Sequence, residues 1–122
     1  MKKIYLLLFT FYFLTGCSVE NLLQEEPLMR TYAPTDIKTT SAILGGSTLC
    51  EMGQNITEYG IVFSTTDKPT INDTKIPLGE GMATFVYRIY YFSPGKTYYY
   101  RTYGTNSIGT GYGETYSFTT KQ

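Results

Sequence analysis

From Met29 onward, apolar and polar residues alternate in short runs, and clusters of turn-forming residues interrupt them about every ten residues. That is the signature of half-buried strands, in which one side chain turns toward a core and the next toward solvent. The alternation predicts seven strands, over about 31–38, 41–50, 57–65, 74–78, 83–91, 96–105 and 112–120. The breaks between them have chemical causes. Met52-Gly53-Gln54-Asn55 supplies turn formers, and Thr66-Asp67-Lys68-Pro69 with Asn72-Asp73 marks a longer loop. Gly79-Glu80-Gly81, Ser93-Pro94-Gly95 and Asn106-Ser107-Ile108-Gly109 mark three more turns. Pro77 has no N–H to give a central ladder, so its strand belongs at a sheet edge. No window past residue 28 sustains the i, i+3, i+4, i+7 spacing of a helix, so the class is all-β, a small antiparallel sandwich.

The first sixteen residues follow a different pattern. Lys2 and Lys3 precede an apolar run from Ile4 to Leu14, and small residues follow it. Eleven residues of helix rise about 16 Å, well short of the ~30 Å hydrocarbon core, so the run reads as a secretion signal and not a membrane span. Its end, Leu14-Thr15-Gly16-Cys17, resembles the bacterial lipobox. The resemblance implies cleavage before Cys17, lipid on its sulfur and a mature chain anchored to a membrane. Residues 17–28, with Glu20, Glu25, Glu26 and Pro27, read as a lipidated flexible tether. A short helix through Val19, Leu22 and Leu23 is the alternative, but Pro27 would end it. The organisation expected is therefore signal 1–16, tether 17–28 and one domain over 29–122.

Composition narrows the chemistry. Ten basic residues balance ten acidic ones, and loss of Lys2 and Lys3 with the signal leaves the mature chain mildly acidic. Neither a nucleic-acid surface nor an acidic tail is indicated. Histidine is absent, which removes the commonest general base, the Ser-His-Asp and Cys-His nucleophile pairs and the commonest metal ligand. There are two cysteines; with Cys17 committed to lipid, no intrachain disulfide is expected, and Cys50 reads as a small buried hydrophobe in preference to a reactive thiol. Thirteen tyrosines and seven phenylalanines suit half-buried pleated surfaces and supply rings for interfaces.

The segment Ser93-Pro94-Gly95-Lys96-Thr97-Tyr98-Tyr99-Tyr100-Arg101-Thr102-Tyr103-Gly104-Thr105, with Gly109-Thr110-Gly111-Tyr112-Gly113-Glu114 and Phe118-Thr119-Thr120, resembles the last two strands of fibronectin type III-like domains, particularly those of Bacteroidetes lipoproteins. Ser41–Gly46 and Glu58–Thr66 fall where that family's second and third strands belong. The resemblance covers nearly all of 30–120 and implies a seven-stranded antiparallel immunoglobulin-like sandwich. It departs from the family at Tyr100, where an aliphatic residue is usual, and at Gly46, where the second strand carries a core tryptophan. It also makes Tyr98 the buried corner tyrosine, its hydroxyl bonded to nearby backbone. Alternation then turns Tyr98, Tyr100, Thr102 and Gly104 inward and Tyr99, Arg101 and Tyr103 outward, with Thr115, Ser117 and Thr119 beside them. Two rings about 13 Å apart with a guanidinium between them would make a flat platform for a glycan or a partner protein.

Other chemistry is sparse. Asp67 with Asp73, or Glu58 with Glu80, would have to supply the two carboxylates of glycoside hydrolysis, but they read as solvated charges, mostly in loops. Asp67, Asn72 and Asp73 lack the dense acidic spacing of a calcium loop. Gly104, Gly109, Gly111 and Gly113 precede no helix that would seat a phosphate, and read as turn and bulge glycines. No catalytic residue, metal site or cofactor is expected. The chain reads as a non-enzymatic, lipid-anchored protein of a Gram-negative cell envelope, most consistent with the outer membrane. It would act as a binding, adhesion or spacer module with a protein or glycan partner and no nucleic acid. The alternative is a carbohydrate-binding accessory lipoprotein that uses exposed tyrosines.

Overall fold

The computed structural model describes residues 24–122, and every regular element within them is a β-strand. The strands are β1 (Leu28–Thr35), β2 (Ala42–Cys50), β3 (Glu58–Ser64), β4 (Thr74–Gly79), β5 (Thr84–Ile89), β6 (Thr97–Thr105), β7 (Thr110–Tyr112) and β8 (Tyr116–Thr119). One sheet has the order β1-β2-β5; the other has β4-β3-β6-β7, with β8 continuing along β6. All pairings are antiparallel. β4 is an edge strand, as Pro77 requires.

The expected seventh strand is two strands, β7 and β8. Tyr103 stands opposite Tyr112 and Tyr100 opposite Tyr116, so three steps along β6 match four along the partner. The extra residue is a bulge with a purpose. After Gly113 donates its N–H to the Thr102 carbonyl at 3.0 Å, the chain leaves the ladder, and the Glu114 carboxylate swings across to accept the Thr31 N–H at 2.9 Å. Side-chain spacing alone carries no trace of that detour.

The domain also begins earlier than the alternation indicates. β1 starts at Leu28, the Glu25 N–H donates to the Met52 carbonyl at 3.3 Å, the Glu25 carbonyl accepts the Asn106 side-chain amide at 2.7 Å, and Pro27 is buried. Gly111 leaves the room this segment needs, since a Cβ there would sit 1.9 Å from the Pro27 carbonyl oxygen. Residues 25–28 therefore belong to the fold and not to a flexible tether. The signal segment, Cys17, the alternative helix through Val19, Leu22 and Leu23, and the rest of the chain through residue 23 lie outside the described residues.

Between the sheets, Leu44, Ile61, Phe63, Phe85, Ile89, Phe92, Tyr98, Tyr100 and Phe118 form a continuous core. Phe92 meets Phe63 and Phe118 edge to face, each at 5.0 Å between centroids, the offset geometry that aromatic quadrupoles favour. The inward set on β6 is Tyr98, Tyr100, Thr102 and Gly104, all buried, as alternation requires. Tyr98 is the corner tyrosine, and its hydroxyl accepts the Ser93 N–H at 2.8 Å. Tyr100 fits where an aliphatic residue is usual because its hydroxyl reaches the Tyr32 carbonyl at 2.5 Å. Gly46 replaces a large core residue for a steric reason: a Cβ there would lie 2.1 Å from the Arg30 carbonyl oxygen and 2.4 Å from the Thr102 methyl.

Cys50 is buried, as expected, but it is disulfide-bonded, which corrects the expectation that no disulfide forms. The chain's other cysteine, Cys17, lies outside the described residues.

Removing the Tyr98 hydroxyl leaves the Ser93 N–H without its acceptor. Tyr98→Phe is expected to lower unfolding stability by about 1 kcal/mol, read from denaturant midpoints at unchanged slope. A midpoint indistinguishable from wild type would show that the corner bond contributes nothing.

Candidate functional site

The outward face of β6 was the site expected from sequence. Its register is as anticipated, with Tyr99 directly opposite Ser117 on β8 and opposite Ser64 on β3. The accessible platform is not formed. Tyr103 is 0% exposed, although it points away from the core. It stands across from Gly60 on β3, and the ring lies over that glycine: a Cβ on Gly60 would come within 3.0 Å of Tyr103 Cε1. Glu58 and Lys75 close over it. The Tyr103 hydroxyl donates to Glu58 Oε2 at 2.6 Å, Lys75 Nζ meets the same oxygen at 2.8 Å, and the ammonium sits 5.8 Å from the ring centroid. A glycine in the neighbouring strand is the sequence signal that would have shown this, because an aromatic ring across the ladder covers the bare backbone.

Arg101 is also engaged. Its guanidinium carbon stands 3.9 Å from the Tyr112 ring centroid, and its Nε donates to the Pro69 carbonyl at 2.7 Å. The Tyr112 hydroxyl in turn accepts the Ile71 N–H at 3.0 Å. Together Arg101 and Tyr112 hold the β3–β4 loop down on the sheet. Of the three residues, Tyr99 alone keeps the small polar neighbours foreseen for it. Arg101 and Tyr103 thus brace the sheet, and the Tyr103 ring is not accessible to a partner.

The electrostatics agree. Its bond to the Lys75 ammonium, then that to the Tyr103 hydroxyl, holds the Glu58 carboxyl below its ordinary value against the cost of partial burial. Burial first, and the Glu58 carboxylate second, pushes the Tyr103 phenol well above its usual range. Glu114 is held low chiefly by the Thr31 N–H, against its own desolvation, with the Arg30 guanidinium a smaller contribution. These are shifts of charges serving the fold. Of the other acidic residues weighed, Asp73 accepts the Thr70 N–H at 2.8 Å within its own loop, and Asp67 and Glu80 are exposed. Among the described residues no group of three or more Asp, Glu or Cys is placed to hold a metal ion, and no helix is long and apolar enough to cross a membrane.

Exposed apolar surface gathers elsewhere. Half of the ten large hydrophobic side chains exposed among the described residues fall within 82–91, on and beside β5: Met82, Val86, Tyr87, Tyr90 and Tyr91. Val86 is 56% exposed, and Tyr90 and Tyr91 are 67% and 71%. A groove of about 250 Å³ runs between β5 and β4, lined by Ile76, Leu78, Tyr87, Ile89, Tyr90 and Tyr91 with Arg88 at its side. Arg88 is anchored by the Asp36 carboxylate and by Ser41 Oγ at 2.8 Å.

A fibronectin type III domain of the human KIAA0970 protein superposes with a TM-score of 0.55 at 16% identity, over 86% of this chain and 79% of that one. The fold is that of fibronectin type III domains. A domain of human fibronectin type III domain containing protein 3 gives 0.53 at 17% identity, over 80% and 89% of the two chains. The sensor domain of the anti-sigma factor RsgI4 from Pseudobacteroides cellulosolvens gives 0.53 at 15% identity, over 80% and 96%. No family model and no curated protein sequence matches this chain. The fibronectin type III expectation therefore holds for architecture, with the seventh strand interrupted by its bulge.

Two measurements separate bracing from binding. Tyr103→Ala should destabilise the domain by about 3 kcal/mol or more, as for a buried aromatic, while Tyr99→Ala should cost about 1 kcal/mol or less. Equal effects would mean that Tyr103 is not capped in solution. The second is acid titration. A carboxyl with a depressed folded pKa contributes stability that is fully present above its unfolded value, near 4.5, and is lost as pH falls through the folded value. The Glu58→Gln, Glu114→Gln double variant should therefore lose less stability than wild type as pH drops below about 4.5. Parallel stability–pH curves would exclude both carboxylates from the linkage.

Proposed function

We propose that this chain is a non-enzymatic, lipid-anchored envelope protein of a Gram-negative bacterium, attached to the outer membrane through Cys17 and presenting its fibronectin type III fold as a binding or spacer module. The observation that carries the reading is the complete secretion signal ending in Leu14-Thr15-Gly16-Cys17. Only eight residue steps separate Cys17 from Glu25, where the chain already bonds to Met52. Fully extended they reach about 28 Å, so the sandwich is held close to the bilayer surface. A non-enzymatic role is supported by the chemistry of the described surface, where the shifted carboxyls are paired with structural partners. The carbohydrate-binding alternative loses the platform it rested on, since Tyr103 is capped and Arg101 is bonded to Pro69.

The lipid-anchored chain and the disulfide-bonded chain are alternative forms of this protein. A thioether to lipid and a disulfide exclude one another at the same atom, and the chain has only two cysteines. Radiolabelled palmitate fed to expressing cells is expected to enter the wild-type protein and not Cys17→Ala. Absence of label from the wild type, with a shift in mobility on reduction, would replace the anchor with a Cys17–Cys50 bridge.

A further inference from the structure

The two sheets have several outer strands, and all but one are blunted or occupied. β1 carries Pro34 and two register shifts, and its backbone is tied to the other sheet: Tyr100 and Thr102 donate to the Tyr32 and Arg30 carbonyls, and Glu114 accepts the Thr31 N–H. β4 carries Pro77, Lys75 and a register shift. β7 and β8 are short and separated by the bulge. Prolines, charges, bulges and shortness are the devices that keep sheet edges from pairing with another chain. β5 has neither the prolines nor the bulges. Its register against β2 is continuous over all six residues, it has neither Pro nor Lys, and the charge of its single Arg88 is met by Asp36.

The free edge of β5 is also specified at the level of single backbone groups. Ser47 stands opposite Thr84, the Thr48 N–H donates to the Ala83 carbonyl at 2.9 Å, and the Ala83 N–H returns to Thr48 Oγ1 at 2.7 Å, so Thr48 and Ala83 turn their backbone groups toward one another. Bonded and non-bonded pairs alternate in an antiparallel ladder, so Phe85, Tyr87 and Ile89 point their backbone groups toward β2. Thr84, Val86 and Arg88 point theirs to the free edge.

We infer that this chain self-associates through β5, which pairs antiparallel with β5 of a second copy about a twofold axis at Val86. A second copy fits because the edge is complementary to itself in this one register. Val86 pairs with Val86 of the copy, Thr84 with Arg88 and Phe85 with Tyr87, so every outward N–H and C=O meets a partner. The only charge on the strand faces a threonine, and no like charges are opposed. The same register sets exposed Met82 across from exposed Tyr90 of the copy, a thioether against an aromatic ring. One pairing thus draws on the apolar side chains that crowd this edge, and the two three-stranded sheets become one of six. Six residues of edge bury less than a permanent dimer needs, so the association is a reversible one. The inference does not rest on the lipid anchor.

The test is sedimentation equilibrium of the full chain in a density-matched non-ionic detergent, across a concentration series, with amide hydrogen exchange on the same samples. The expected result is a monomer–dimer equilibrium. In it, the N–H groups of Thr84, Val86 and Arg88 gain protection as concentration rises, while those of Phe85, Tyr87 and Ile89 are protected throughout. Val86→Pro removes one outward N–H from each copy without touching the β2 ladder, and should weaken association roughly tenfold or more. Val86→Lys leaves the backbone intact but opposes two ammonium groups on the axis, and should do the same even if the proline variant folds poorly. A chain that stays monomeric, a dimer indifferent to Val86→Lys, or a dimer without the alternating protection would each overturn the proposal.

Discussion

The structure depends on how the backbone of β1 is satisfied where the two sheets meet. β1 pairs with β2 on one side, and on the other it faces not a strand but the buried side chains of β6. Thr102 supplies two bonds across this seam: its N–H donates to Thr31 Oγ1 at 3.1 Å, and its hydroxyl donates to the Arg30 carbonyl at 3.2 Å. Tyr100 takes the Tyr32 carbonyl and Glu114 takes the Thr31 N–H. The Thr31 N–H points away from β2, and leaving it dry would cost as much as a lost hydrogen bond, while the Thr102 and Tyr100 hydroxyls add a further bond to carbonyls whose residues face β2. The other departures from a regular sandwich follow from this seam. Gly46 is bare because Arg30 and Thr102 approach it there, and β7 breaks from β8 so that Glu114 can reach β1.

The same logic explains what was legible in the sequence. A period of two sorted β6 correctly because its inward side chains are core and its ends are fixed by the Pro-Gly turn and Tyr98. Turn chemistry located the seven segments for the same reason. It did not reveal the bulge at Gly113–Thr115, because that break is made by a carboxylate whose partner is more than eighty residues away. Nor did it find the docking of residues 25–27, which depends on Asn106 and on the space at Gly111.

The candidate site shows the other limit. Parity tells which way a side chain leaves a sheet, not whether anything covers it. Tyr103 leaves outward and is nonetheless the better shielded of the two rings, because Gly60 offers bare backbone and Glu58 and Lys75 close above. Accessible apolar surface lies instead on the opposite sheet, where β5 pairs with β2 on one side and with no strand on the other.

The docked segment before β1 also decides how the domain would carry a mechanical load. Glu25 is fastened beside Met52 and Asn106 at one end of the sandwich, whereas Lys121 bonds to Lys38, just past the far end of β1. A pull between these points runs parallel to the strands. Ladder hydrogen bonds lie across that direction, so they are strained together in shear instead of opening one after another from an end. With β1 held to β2 on one flank and to Thr102, Tyr100 and Glu114 on the other, the first element to feel tension is fastened on both sides.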